Sequence, residues 1–86
     1  MFINTKNKLI WKNGSFEKWD DSNVHVLSHT LHYGTGVFEG VRAYNTPNGP
    51  AIFRLNDHTN RLFSAADKIS IKIPFSKDQL NKAQCD

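Results

Sequence analysis

Three histidines, His25, His29 and His32, recur at helical spacing and invite a metal reading. Zinc needs a third or fourth ligand of suitable type, each held by an orienting partner. The only cysteine, Cys85, is far along the chain, and no carboxylate follows these histidines until Glu39. The pattern therefore predicts no metal site. His58 lies in a helical, semi-apolar stretch and reads as a packed or capping histidine. Nothing in the sequence places Cys85 at a helix N-terminus or beside a cation, so a reactive thiol is unsupported. No serine–histidine–acid triad follows from spacing either. Arg61 has a planar, permanently charged side chain with paired donors that suit phosphate oxygens. Yet Asp57 stands four residues back, and on the residues alone an exposed ion pair along one helix face is the better reading.

The elements that must position these side chains come in a recognisable order. Residues 9–19 read as two short strands around Asn13-Gly14, a dipeptide that tolerates the positive φ of a tight hairpin. Trp11 and Trp19 are equally far from a turn centred near Ser15, so cross-strand pairing or packing on a common neighbour is expected. Residues 20–23 are polar and loop-like. Val24 and Val26 alternate as in a strand, and Ser28 is placed to cap a short helical turn. Gly34 and Gly36 mark backbone that bends or admits a close approach. Residues 37–44 are β-rich. Their period of two puts Phe38, Gly40, Arg42 and Tyr44 on one face, and Val37, Glu39, Val41 and Ala43 on the other. Arg42 reads as a structural ion-pair residue, with carboxylate sensing as the alternative.

A turn over residues 46–50 should return the chain as a strand from Ala51 to Arg54. From Leu55 the pattern is helical, with Leu55, His58, Leu62, Ala65 or Ala66, and Ile69 on the apolar face. Ile71-Lys72-Ile73 is briefly extended and stopped by Pro74. Ser76 with Gln79 has the capping-box form and predicts a second helix. That helix carries no C-cap signal before Asp86, an ending that reads as a truncation.

Composition narrows the function classes. The 86 residues carry a net charge of +3, and the eleven lysines and arginines are scattered. Only Lys6, Lys8 and Lys12 lie close together, with no basic stripe or aromatic platform of the kind nucleic acid requires. No apolar run approaches the roughly 18 residues of a membrane span, and Lys6 and Lys8 precede no apolar signal-peptide core. A single cysteine suits a reducing compartment, which makes the cytoplasm the expectation. A chain this short buries only about 60% of its unfolded surface. With 38% apolar residues, it should lean on something outside itself.

The stretch from Val24 to Tyr44, VHVLSHTLHYGTGVFEGVRAY, is similar to the opening signature of the branched-chain aminotransferases of fold type IV. The likeness runs upstream through Ile10-Trp11-Lys12-Asn13-Gly14. It continues downstream through Gly49 to Leu55, His58-Thr59-Asn60-Arg61-Leu62, Pro74-Phe75 and Leu80 to Cys85. Related families of this fold, the D-amino acid aminotransferases and aminodeoxychorismate lyases, share the aromatic–glycine turn and the strand after it. They do not usually carry this form of the His32 to Arg42 segment.

The resemblance implies an α/β (α+β) architecture: residues 1–86 form the small N-terminal domain of a two-domain enzyme, with strands and hairpins followed by helices. It implies pyridoxal 5'-phosphate as cofactor, bound between the domains, with branched-chain amino acids and 2-oxo acids as substrates and a homo-oligomer as the working form. Arg61 stands where the family's arginine contacts the cofactor phosphate, which reverses the preference for a plain ion pair. Phe38 and Gly40 resemble residues bordering the substrate side-chain pocket, although Phe38 could instead be core. Tyr33 corresponds to a tyrosine that lines that pocket from across the dimer interface; its alternative is a half-buried hydroxyl with a backbone partner. The cofactor-holding lysine of the family lies beyond position 86. Lys68, Lys72, Lys77 and Lys82 match no such lysine, so this chain supplies no catalytic residue and should not transaminate by itself. Two other readings stay open: a fold type IV enzyme with a different amino donor, and a non-catalytic binding or assembly module.

Overall fold

A computed structural model of the chain describes residues 8–86. Lys6 and the N-terminal stretch weighed as a signal peptide lie outside the described residues. The chain divides into two compact units, the second beginning at Thr35.

The first unit is built on a hairpin of β1 (Leu9–Lys12) and β2 (Ser15–Lys18). Asn13 at φ 53° and Gly14 at φ 101° make the two-residue turn that the Asn-Gly dipeptide predicts. The register opposes Trp11 to Phe16 and Leu9 to Lys18, so the two tryptophans are not a cross-strand pair. The turn falls on Asn13 and Gly14, ahead of the centre at Ser15 that such a pair requires, and Trp19 passes beyond the strand into a 3-10 turn, Trp19–Asp21. Its amide donates to the Lys8 carbonyl at 3.2 Å. Lys12 ties the loop back by donating from Nζ to the Asn23 carbonyl. After it comes α1 (His29–Tyr33), closed by Gly34 in the left-handed region at φ 66°. Ser28 occupies the N-cap position, but its side chain makes no capping hydrogen bond.

The second unit begins with an extended run in which Val37 and Glu39 are half-buried while Phe38 and Gly40 are, respectively, exposed and open on the side-chain face. Only the end of the expected 37–44 strand is paired. β3 spans Ala43–Thr46 and β4 spans Gly49–Ile52, again a two-stranded antiparallel sheet. The Phe53 amide adds one further bond to the Arg42 carbonyl at 2.8 Å. The return strand stops short of Arg54 because Arg54 takes φ 53°, ψ 43° and turns the backbone directly into a helix. Residues 37–41 are then left without a ladder partner among the described residues. In the connecting turn Thr46 Oγ1 accepts from the Asn48 amide, and Gly49 at φ 103° supplies the left-handed step.

α2 (Leu55–Lys68) and α3 (Lys77–Cys85) complete the unit. The apolar face of α2 is where the spacing predicts it, with Ala66 at 1% exposure, although Ile69 is 42% exposed. The other buried residue among those described is Thr59, a polar one. Its hydroxyl donates to Asn81 Oδ1 on α3, and Asn81 Nδ2 donates to Asn56 Oδ1 at 2.9 Å. Lys77 Nζ lies 5.5 Å from the centre of the Phe63 ring and adds a cation–π contact between the helices. α2 ends with Ser70 at φ 62°, its amide donating to Asp67 and that of Ile71 to Ala66. α3 opens on the full capping box: Ser76 Oγ accepts from the Gln79 amide at 3.1 Å, and Gln79 Oε1 accepts from the Ser76 amide at 2.8 Å. No large side chain is fully buried among the described residues.

Candidate functional site

The period of two over residues 37–40 turns Glu39 toward α2 and Phe38 away from it. His58 and Arg61 lie three residues apart on α2, hence on one face. Glu39 takes both. His58 Nδ1 donates to Glu39 Oε1 at 2.7 Å, and Arg61 Nε stands 3.5 Å from Glu39 Oε2. The carboxylate is only 13% exposed, whereas the Arg61 side chain is 74% exposed. Arg61 is therefore held at its Nε and otherwise presented outward. Its remaining guanidinium nitrogens have no partner among the described residues.

The ion pair expected between Arg61 and Asp57 does not form. Asp57 accepts from Arg54 Nε at 2.7 Å instead, because the left-handed turn at Arg54 carries its side chain over the first turn of the helix. His58 is a packed histidine, as its context suggests, but its partner is a carboxylate and it caps nothing. The sequence alone does not mark Glu39 as the partner of these residues. The available signal is that it is the sole acid between Asp21 and Asp57, on the opposite strand face from Phe38.

Phe38 is 92% exposed and takes no part in a core formed by the described residues. Gly40 shares its face, and a Cβ built there meets nothing within 4 Å. These two side-chain positions form an open apolar edge whose other wall is not supplied by the described residues. Arg42, read as a structural ion-pair residue, makes no ion pair among the described residues; only its carbonyl is used. In the first unit Tyr33 is 74% exposed and stacks on His29 with centroids 4.6 Å apart. His25 Nδ1 accepts from the Leu27 amide at 3.0 Å, and His32 Nε2 donates to the Val26 carbonyl at 2.8 Å. The three clustered histidines thus face three different local partners. At the end of α3, the hydrogen bond from Lys82 to Asp86 at 2.6 Å holds the ammonium above its usual range; both groups are on the surface.

Chemically, the arrangement offers an anchored guanidinium for an anion with several oxygens, such as a phosphate ester. On the opposite side of the 37–40 run from Glu39 the protein offers exposed apolar surface at Phe38 with open space at Gly40.

Comparison with known proteins bears on the same residues. The branched-chain-amino-acid aminotransferase of Pseudomonas aeruginosa is 53% identical over 83 residues, which are 96% of this chain and 27% of that protein. That of Escherichia coli (strain K12) is 45% identical over 78 residues, 91% of this chain and 25% of the relative. Among solved structures, a T.th. branched-chain amino acid aminotransferase complexed with N-(5'-phosphopyridoxyl)-L-glutamate superposes with a TM-score of 0.86 at 51% identity. The match covers 87% of this chain and 25% of that one. The chain spans about a quarter of the length of these relatives. Its hairpins followed by helices are the mixed α/β arrangement of fold type IV. The Glu39–His58–Arg61 cluster and the Phe38 edge both lie inside residues 36–86, which match the family described as amino-transferase class IV. With more than half of its length in that pattern, the chain belongs to the class IV amino-transferases.

Proposed function

We propose that this chain forms the small N-terminal domain of a two-domain, pyridoxal-phosphate-dependent aminotransferase. The whole enzyme would move the α-amino group of leucine, isoleucine or valine to 2-oxoglutarate. One observation carries the reading: identity of 53% sustained over 96% of the chain to an enzyme of that name.

The residues fit the cofactor. Arg61 has an anchored Nε and outward nitrogens, the donor set a phosphate monoester asks for. When bound, pyridoxal phosphate supplies the electron sink for breaking the bonds at the amino acid's Cα. The contribution of this chain is to bind and orient. Arg61 fixes the phosphate end. Phe38 borders the branched aliphatic side chain, and Gly40 leaves space beside it. Tyr33 completes the pocket wall from a second protomer, which makes a homo-oligomer the working form. The second domain, with the lysine that holds the cofactor, lies outside residues 1–86. The cytoplasm is the proposed location, resting on a single free cysteine; no helix among the described residues is long and apolar enough to cross a membrane.

The test is a donor panel on the complete polypeptide that carries these residues. With cofactor and 2-oxoglutarate, glutamate should form fastest from leucine, isoleucine or valine. A faster reaction from D-alanine would replace the donor class and leave the family intact. Bound cofactor with no turnover on any amino donor would overturn the reading and favour a binding or assembly role.

A further inference from the structure

We propose that Glu39 is a positioning residue for cofactor binding: its carboxylate holds Arg61 at Nε so that the outer guanidinium nitrogens meet a phosphate ester. The inference rests on the reading of Arg61 as the phosphate ligand.

Three features of the cluster carry it. Glu39 is the one acid that reaches the inward face of the extended 37–40 run, and its carboxylate is only 13% exposed. Its two oxygens are divided between successive turns of α2. His58 at 2.7 Å fixes Oε1, which leaves Oε2 directed at Arg61, 3.5 Å away. Arg61, with its side chain 74% exposed, has no other partner among the described residues. Without Glu39 a long, flexible arginine would sample many rotamers, and ligand binding would have to restrict all of them. With it, the arginine waits in one orientation. His58 belongs to the device because a carboxylate pinned at one oxygen cannot swing away from its second partner.

The sign of the effect separates this role from that of a bystander. A carboxylate near a phosphate repels it, so removing a bystander charge tightens phosphate binding. Removing a positioning carboxylate weakens it. A merely structural glutamate, by contrast, disturbs the site for every ligand, with or without a phosphate.

The experiment uses the complete polypeptide, stripped of cofactor and titrated separately with pyridoxal phosphate and with pyridoxal, which lacks the phosphate. Arg61→Ala should weaken pyridoxal phosphate by about tenfold or more. Glu39→Gln should weaken it by about three- to fivefold, the scale of one partly exposed ion pair, and leave pyridoxal unchanged. Glu39→Asp keeps the charge and should fall between wild type and Glu39→Gln. In the Arg61→Ala background, Glu39→Gln should add nothing. Unchanged or tighter phosphate binding in Glu39→Gln, equal losses for both ligands, or a further loss in the double variant would each overturn the role of Glu39. An Arg61→Ala variant with undiminished affinity would instead remove the underlying reading of Arg61, whatever Glu39 does.

Discussion

Helix α2 is held by two polar anchors of opposite character. On one side Thr59, at 3% exposure, joins Asn81 and Asn56 in a neutral chain of hydrogen bonds to α3. On the other, Glu39 gathers His58 and Arg61 in a charged cluster that ends in a side chain 74% exposed. The first anchor is closed on itself: Thr59, Asn81 and Asn56 partner one another within the same chain. The second is not, since Arg61 keeps donors without a partner among the described residues. A closed neutral network stabilises the fold, while an open charged one keeps its capacity for a ligand. Structure and binding are thus assigned to two faces of one helix.

The largest effect sharpens this contrast by leaving the ligand side unsupported. Purified residues 1–86, given pyridoxal phosphate, leucine and 2-oxoglutarate, should form no glutamate above the protein-free rate if, as proposed, the cofactor-holding lysine belongs to a second domain. Appreciable turnover would show that the open anchor is half of nothing and that the chain is catalytic alone.

Next in size is a double dissociation measured on the complete polypeptide. Thr59→Val preserves shape but leaves Asn81 without its donor in a part-buried place. It should cost about 1–3 kcal/mol of stability, the penalty of an unsatisfied buried group, with the cofactor affinity of the folded protein unaltered. Arg61→Ala should do the reverse, lowering affinity while denaturant unfolding of the cofactor-free protein moves by less than about 1 kcal/mol. If both variants moved both quantities alike, the two faces would not be separate devices.

What can be read from the sequence divides along a similar line. The Asn13-Gly14 turn, the span of α2 and the Ser76–Gln79 box are set within a few residues by turn chemistry, period and capping, and each stands where expected. Phe38 and Gly40 also share a face as the period of two requires. Reading fails where the partner is distant or the backbone makes an uncommon choice. The Glu39–His58 bond joins positions 19 apart, and nothing local announces it. The left-handed Arg54 both shortens the return strand and takes Asp57 from Arg61, although arginine is a poor sequence signal for that conformation. Ser28 has the right type for a cap and makes no capping bond. Arg61 stands out through family likeness; its spacing alone favours a partner that it does not have.

A smaller variant on the structural side probes the capping box. Ser76→Ala removes the acceptor for the Gln79 amide at the start of α3 and should cost about 1 kcal/mol. Its effect belongs to the α2–α3 pairing alone, so the ratio of pyridoxal phosphate to pyridoxal affinity should stay as in wild type. A change in that ratio would mean that α3 reaches the cluster around Glu39.

The smallest expected effect is a gain. Ser70 closes α2 at φ 62°, with its amide on Asp67 and that of Ile71 on Ala66, a termination that usually employs glycine. A residue with a Cβ is strained there by roughly 1 kcal/mol or somewhat more. Glycine relieves the strain but gives the unfolded chain more freedom, which offsets part of the benefit. Ser70→Gly should therefore stabilise by about 0.5 kcal/mol, read as a higher denaturant midpoint at unchanged slope. The position lies at the C-terminal end of α2, more than two turns past Arg61, so cofactor affinity should not follow the gain. A stabilised variant that also bound pyridoxal phosphate more tightly would show that order at the helix end is transmitted to Arg61. That outcome would turn the contrast between closed and open anchors into a single coupled device.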